Sequence, residues 1–202
     1  MKLDYMTEEN KIELLCDHYK DTFSHIKDAI KQRDHLFSFV VLLIVIFLFQ
    51  LYSPNDFGES ISALISAQLG ITNKIDLTFL SSLIWFLLLA SSIKYYQTVV
   101  FIERQYNYLH SLEDYINPFF DGKAFTREGK SYLNNYPKFS HWSSFLYTMF
   151  YPFSLIIILS IKLISEFRFA VCVNSLLIVN SILFLGILIS TVLYLFLLHL
   201  KK

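Results

Sequence analysis

Four stretches of this chain alternate with polar ones, and each is apolar all round. Leu36 to Tyr52 carries no charge and is interrupted only by Ser38 and Gln50. Leu77 to Ile93 is also uncharged, passes Lys94 and runs on to Ile102. Trp142 to Ile161 and Phe169 to Leu198 follow, again without charge. A bilayer core takes about 17–25 apolar residues as a helix. The run LFSFVVLLIVIFLF lacks the polar face that a soluble helix shows every 3.6 residues. The pattern predicts an all-α, polytopic membrane protein with four transmembrane helices at 36–52, 77–102, 142–161 and 169–200. A polar segment of about 35 residues precedes the first span, which therefore reads as an uncleaved signal anchor.

The polar segments have patterns of their own. Residues 1–35 predict an amphipathic helix. Thr7 suits the N-cap, and Glu8 and Glu9 suit the positive end of the helix dipole. Ile12, Leu15, Tyr19, Phe23, Ile26 and Ile30 then recur every three or four residues. No Gly or Pro separates this helix from the first span, so the two are expected to be continuous. Its apolar stripe needs a cover. The chain's own middle loop is one choice, and self-association or a partner protein is the other. Residues 53–76 open on a turn signal, Ser53-Pro54-Asn55-Asp56, followed by a short interfacial helix through Ile61, Leu64, Ile65 and Leu69. Residues 103–141 form a helical loop that extends the second span as far as Asn117-Pro118. Residues 162–168 read as a turn, and 201–202 as a short tail. Pro152 is expected to kink the third span.

Composition sharpens this reading. Apolar residues make up 54% and charged residues 17%, against about 25% charged in soluble domains. Mean hydropathy is +0.46. Seventeen basic and 17 acidic residues cancel, so nothing points to direct nucleic-acid binding. The basic residues cluster, however. Lys and Arg flank the spans heavily on the side of 1–35, 103–141 and the C-terminus, whereas the other side holds only Lys74, Lys162 and Arg168. The positive-inside rule then places both termini and the middle loop in the cytoplasm of a bacterial inner membrane. Cys16 and Cys172 fall on different sides, so no disulfide is expected.

Catalytic chemistry is sparse. The sequence has no HExxH, GxSxG, CxxC or P-loop motif. His18 and His25 are seven apart on a solvated helix face, which does not make a metal site. Glu113-Asp114 reads as a solvated surface pair. No catalytic residue, cofactor or metal is expected. The uncharged blocks hold no Asp, Glu, Arg or Lys, which argues against a proton-coupled transporter. Lys94 is expected to snorkel, with Tyr95 and Tyr96 as interfacial belt residues. Gln50, Asn174 and Asn180 are candidates for linking helices or lining a pore. Gly186 and Ser190 are candidates for close helix packing, and Arg127, Lys130, Tyr132 and Tyr136 for partner binding.

The layout is a cytoplasmic helix, four spans, a long inner loop and almost no outer domain. It resembles small multi-span membrane proteins encoded in bacterial defence islands, among them the KwaA membrane subunits of two-component Kiwa anti-phage systems. Two inner-loop segments look like those of bacterial membrane proteins of similar size: Phe101-Ile102-Glu103-Arg104-Gln105-Tyr106-Asn107-Tyr108-Leu109-His110 and Thr126-Arg127-Glu128-Gly129-Lys130-Ser131-Tyr132-Leu133. The resemblance implies a membrane assembly that senses phage attack and works with a soluble, DNA-binding, KwaB-like companion. Two functions compete. One is a non-enzymatic scaffold and sensor that forms a homo-oligomer in membrane lipid and recruits that cytoplasmic companion. The other is a pore-forming effector that depolarises the cell when triggered. A membrane enzyme has only the Glu113/Asp114 and Arg127/Lys130 clusters to support it.

Overall fold

A computed structural model describes residues 7–69, 77–120, 142, 145–169 and 174–199. Helix α1 runs Glu8–Tyr52, α2 Pro54–Leu69, α3 Leu77–Ile116, α4 Tyr151–Phe169 and α5 Ser175–His199. A 3-10 turn, Asn117–Phe119, follows α3, and a π-helical turn, Leu146–Phe150, leads into α4. Among the described residues there is no strand. Among the described residues, four helices are long and apolar enough to cross a membrane: Glu8–Tyr52, Leu77–Phe119, Leu146–Arg168 and Ser175–Leu197. The protein is therefore an all-α, multi-pass membrane protein.

Local chemistry sets the helix ends. At the start of α1 the Thr7 carbonyl accepts the Lys11 N–H at 3.1 Å. The 45 residues that follow contain no Gly or Pro, so amphipathic segment and first span form one helix. The expected turn at residue 53 is reduced to Ser53 alone. Pro54 starts α2 at the first helical position, where its missing N–H costs nothing, and the Ser53 carbonyl accepts the Phe57 N–H at 2.9 Å. Phe57 is buried edge-to-face on Phe49, which anchors α2. Asn117-Pro118 closes α3 as expected. Pro152 sits where π winding gives way to α winding, so its missing donor coincides with a change of helix register.

One correction concerns residues 162–168. They are helical and complete α4, so the third span shifts toward its C-terminus and takes in Lys162 and Glu166.

The chain divides into two compact units. The first comprises residues up to Asp34 together with residues from Gln97 to Phe145, and its described core pairs α1 with the end of α3. Tyr19, Ile26, Leu109, Leu112 and Ile116 are buried together, with Leu15, Cys16, Phe23, Ile30 and Tyr106 packed around them. The stripe on α1 is thus covered by the same chain, because α3 carries its own apolar residues at three- and four-residue spacing. Each large side chain buried here contributes roughly 1.5–3 kcal/mol. Glu113 corrects the reading of a solvated pair. It is only 4% exposed, and its Oε1 accepts the Tyr19 hydroxyl at 3.1 Å, while Asp114 is exposed. His18, exposed on α1, meets the Tyr108 hydroxyl through Nε2 at 2.8 Å.

The second unit holds residues 35–96 and 146–202. Tyr95 and Tyr96 are buried in it among neighbouring helices. The Tyr96 hydroxyl bonds Thr191 Oγ1 at 2.9 Å, and its ring stacks on Tyr194 at 4.3 Å. Tyr95 and Tyr151 pack edge-to-face with each other, and Phe37 contacts both. These helix contacts shield the rings, and Thr191 gives the Tyr96 hydroxyl the partner that burial demands. Lys94 is exposed.

Replacing Leu109 by Ala should loosen the first unit by about 2–5 kcal/mol. Hydrogen exchange of the α1 amides between Leu15 and Ile30 should then speed up, while Tyr115→Ala, at a 69% exposed position, should leave them unchanged.

Candidate functional site

A charged pair lies within the second unit, one to two turns in from the helix ends. Lys162 and Glu166 are four residues apart on α4, hence on one face. Their side chains are only 8% and 14% exposed, and Lys162 Nζ lies 3.1 Å from Glu166 Oε1. Two further donors from α3 reach the same oxygen: Ser81 Oγ at 2.6 Å and Trp85 Nε1 at 3.2 Å. On Oε2 the carboxylate accepts Asn180 Nδ2 of α5 at 2.8 Å. The first helix contributes an aromatic face. Lys162 Nζ stands 5.4 Å above the Phe47 ring, within cation–π range. Phe47 in turn meets Trp85 edge-to-face at 5.2 Å, and Trp85 meets Phe184 at 6.1 Å.

The arithmetic of the carboxylate explains why a charge is tolerated here. An ionised carboxylate offers about four acceptor positions. Three hydrogen bonds and one ion pair use them unevenly: Ser81, Trp85 and Lys162 meet Oε1, and Asn180 meets Oε2. Burying a lone carboxylate costs several kcal/mol, which a close counter-charge together with hydrogen bonds offsets. Glu166 has both. The result ties α3, α4 and α5 through a single side chain.

The expected site residues fall into three groups. Asn180 joins the tie through its amide N–H, while its own Oδ1 is buried with no partner among the described residues. Gln50 is buried, and its Oε1 likewise has no partner. Asn174 stands at the start of α5. It caps α5, its Oδ1 accepting the Leu177 N–H at 2.8 Å. At Gly186, α5 comes close to α3. A Cβ at Gly186 would stand 3.2 Å from Leu89 Cδ1 of α3, so glycine permits the close approach there. Ser190 Oγ donates back to the Gly186 carbonyl at 2.7 Å, which satisfies its hydroxyl within α5. Arg127, Lys130, Tyr132 and Tyr136 lie outside the described residues, as does Cys172.

Sequence reasoning missed Lys162, Glu166, Ser81 and Trp85. The two charges read as the end of a span, although their four-residue spacing was visible as a helix pair. Nothing in the sequence announced that α3 and α5 would bring three donors to Glu166. Comparison with known proteins finds no family model, no curated protein and no solved structure that matches this chain.

A double-mutant cycle tests the tie. Lys162→Met and Glu166→Gln should each cost about 3–5 kcal/mol, because each leaves one polar partner set unmatched. The combined variant should lose clearly less than the sum, read from unfolding midpoints in detergent micelles.

Proposed function

We propose that this protein is a non-enzymatic scaffold and sensor of the bacterial inner membrane, which assembles with copies of itself and recruits a soluble cytoplasmic companion in anti-phage defence. The first unit supports this reading. Its core consumes the α1 stripe, yet Tyr115, Phe119 and Phe120 stay exposed at the end of α3. Exposed aromatics in a charged helical unit suit a protein surface, since Tyr and Phe are enriched at the buried centres of interfaces. They lead in sequence into the segment that carries Arg127, Lys130, Tyr132 and Tyr136, the candidates for partner binding read from the sequence. The distribution of Lys and Arg assigns this unit, and both termini, to the cytoplasm. Along α5, exposed Ile178, Ile182, Leu185, Ile189, Val192 and Phe196 repeat every three to four residues, a face suited to lipid or to a second copy.

A triggered pore is the second reading. It is favoured by the buried, unpartnered acceptors Gln50 Oε1 and Asn180 Oδ1, which a wetted path would satisfy. A membrane-potential dye separates the two, because a scaffold leaves the potential intact after triggering.

Tagged protein extracted from native membranes in mild detergent should run as a homo-oligomer with a soluble companion. Tyr115→Ala combined with Phe119→Ala and Phe120→Ala should weaken companion capture about tenfold or more and leave the oligomer intact. Recovery of monomer alone under every condition overturns the proposal.

A further inference from the structure

We propose that the C-terminal end of α3 is a guanidinium-binding site built on Glu113 and Asn117, and that the soluble companion supplies the arginine it takes. The inference rests on the scaffold reading above and names the chemistry of its partner.

Two acceptors at this end are short of donors. Glu113 is only 4% exposed, yet among the described residues it takes one hydrogen bond, from the Tyr19 hydroxyl to Oε1. None of the described cations pairs with it. Glu166 shows what a buried carboxylate of this chain can gather: an ammonium and three hydrogen bonds. Glu113 has a single neutral donor and an Oε2 with none among the described residues. Four residues on, Asn117 Oδ1 is buried and also lacks a donor among the described residues. Asn117 opens the 3-10 turn that ends α3, and it is half-buried, so the two acceptors border the surface. The helix dipole adds partial negative charge at the same end. A buried carboxylate without a counter-charge is costly, so the position favours a cation that brings several N–H groups.

Guanidinium fits these demands better than the other cations. Among the described residues, no group of three His, Cys, Asp or Glu could hold a metal ion, so a metal would find one carboxylate here. An ammonium is a point charge with three donors. A guanidinium spreads five donors over a planar fork, enough to meet a carboxylate oxygen and an amide oxygen together. Its flat faces also stack on aromatic rings. Tyr115, Phe119 and Phe120, all exposed, lie in the same stretch of chain. They form the surface already assigned to companion capture, so the arginine should come from an apolar patch of the companion. The anchor is then a charge-assisted pair at the centre, ringed by aromatic contact.

The test uses full-length protein in detergent micelles, isotope-labelled at the glutamate carboxyl carbon and the asparagine side-chain nitrogen. N-acetyl-arginine amide is titrated into the millimolar range. The Glu113 and Asn117 resonances should shift together and saturate. N-acetyl-citrulline amide keeps the shape without the charge and should move neither. N-acetyl-lysine amide should bind more weakly by about threefold or more. Glu113→Gln keeps an acceptor for Tyr19 and should weaken arginine binding about tenfold or more. If Glu113→Gln does not fold, Asn117→Ala, which leaves the Tyr19–Glu113 bond in place, decides by the same titration. Resonances that stay in place, or that citrulline moves as far, overturn the site. A lysine derivative that binds as tightly overturns the guanidinium assignment. Resonances that move on Arg127→Gln or Lys130→Gln with no probe added make the chain's own basic segment the occupant and overturn the companion's part. Companion capture is measured on the same variants. Saturation by arginine with no companion captured keeps the site and sinks the scaffold. Capture that Glu113→Gln and Asn117→Ala leave unchanged keeps the scaffold and sinks the anchor.

Discussion

In a hydrocarbon environment a polar group must find its partner inside the protein, and this constraint organises the spanning unit. Glu166 meets it with a lysine one turn away and donors from two other helices. Elsewhere the same constraint is met locally. Ser82, Ser160, Ser181, Ser190 and Thr191 each return a hydroxyl to the carbonyl four residues back, so these small polar residues need no neighbouring helix. Carboxylate, ammonium and amide groups cannot be satisfied in that way. They therefore need partners from other helices, as Glu166 does from α3 and α5.

Continuity of the backbone is the second organising fact. α1 and α3 each pass from an amphipathic pattern to an all-apolar one, or the reverse, without a break. Neither contains Gly or Pro, so no residue interrupts the hydrogen-bond ladder where the pattern changes. In the first unit the two helices pair through Tyr19, Ile26, Leu109, Leu112 and Ile116. One buried polar contact, Tyr19 to Glu113, sits in that core and fixes its register more narrowly than apolar packing would.

The sequence was legible wherever a local rule decides the outcome. Four long apolar helices, an unbroken α1, a short α2 after Ser53-Pro54 and the stop at Asn117-Pro118 all follow from length, capping and breaker residues. It was illegible wherever burial depends on what arrives from another helix. Tyr95 and Tyr96 beside Lys94 look interfacial until Tyr151, Thr191 and Tyr194 enclose them. Glu113 looks solvated until Tyr19 covers it. Lys162 and Glu166 look like loop charges for the same reason. A charge near the end of an apolar run marks the end of a span only if nothing neutralises it, and the neutralising donors lie more than 80 positions away in the chain for α3 and 14 for α5.

The two functional readings place different demands on the same carboxylate. A scaffold needs a spanning unit that keeps one packing, and a paired Glu166 supplies it. A conducting path lined by Asn180 needs that amide free, yet its N–H is held by Glu166 Oε2 and its Oδ1 is enclosed. Water entering to satisfy Oδ1 would also reach the ion pair beside it and weaken the attraction between Lys162 and Glu166 by raising the local dielectric. A path lined by Asn180 is therefore at odds with the tie as it stands.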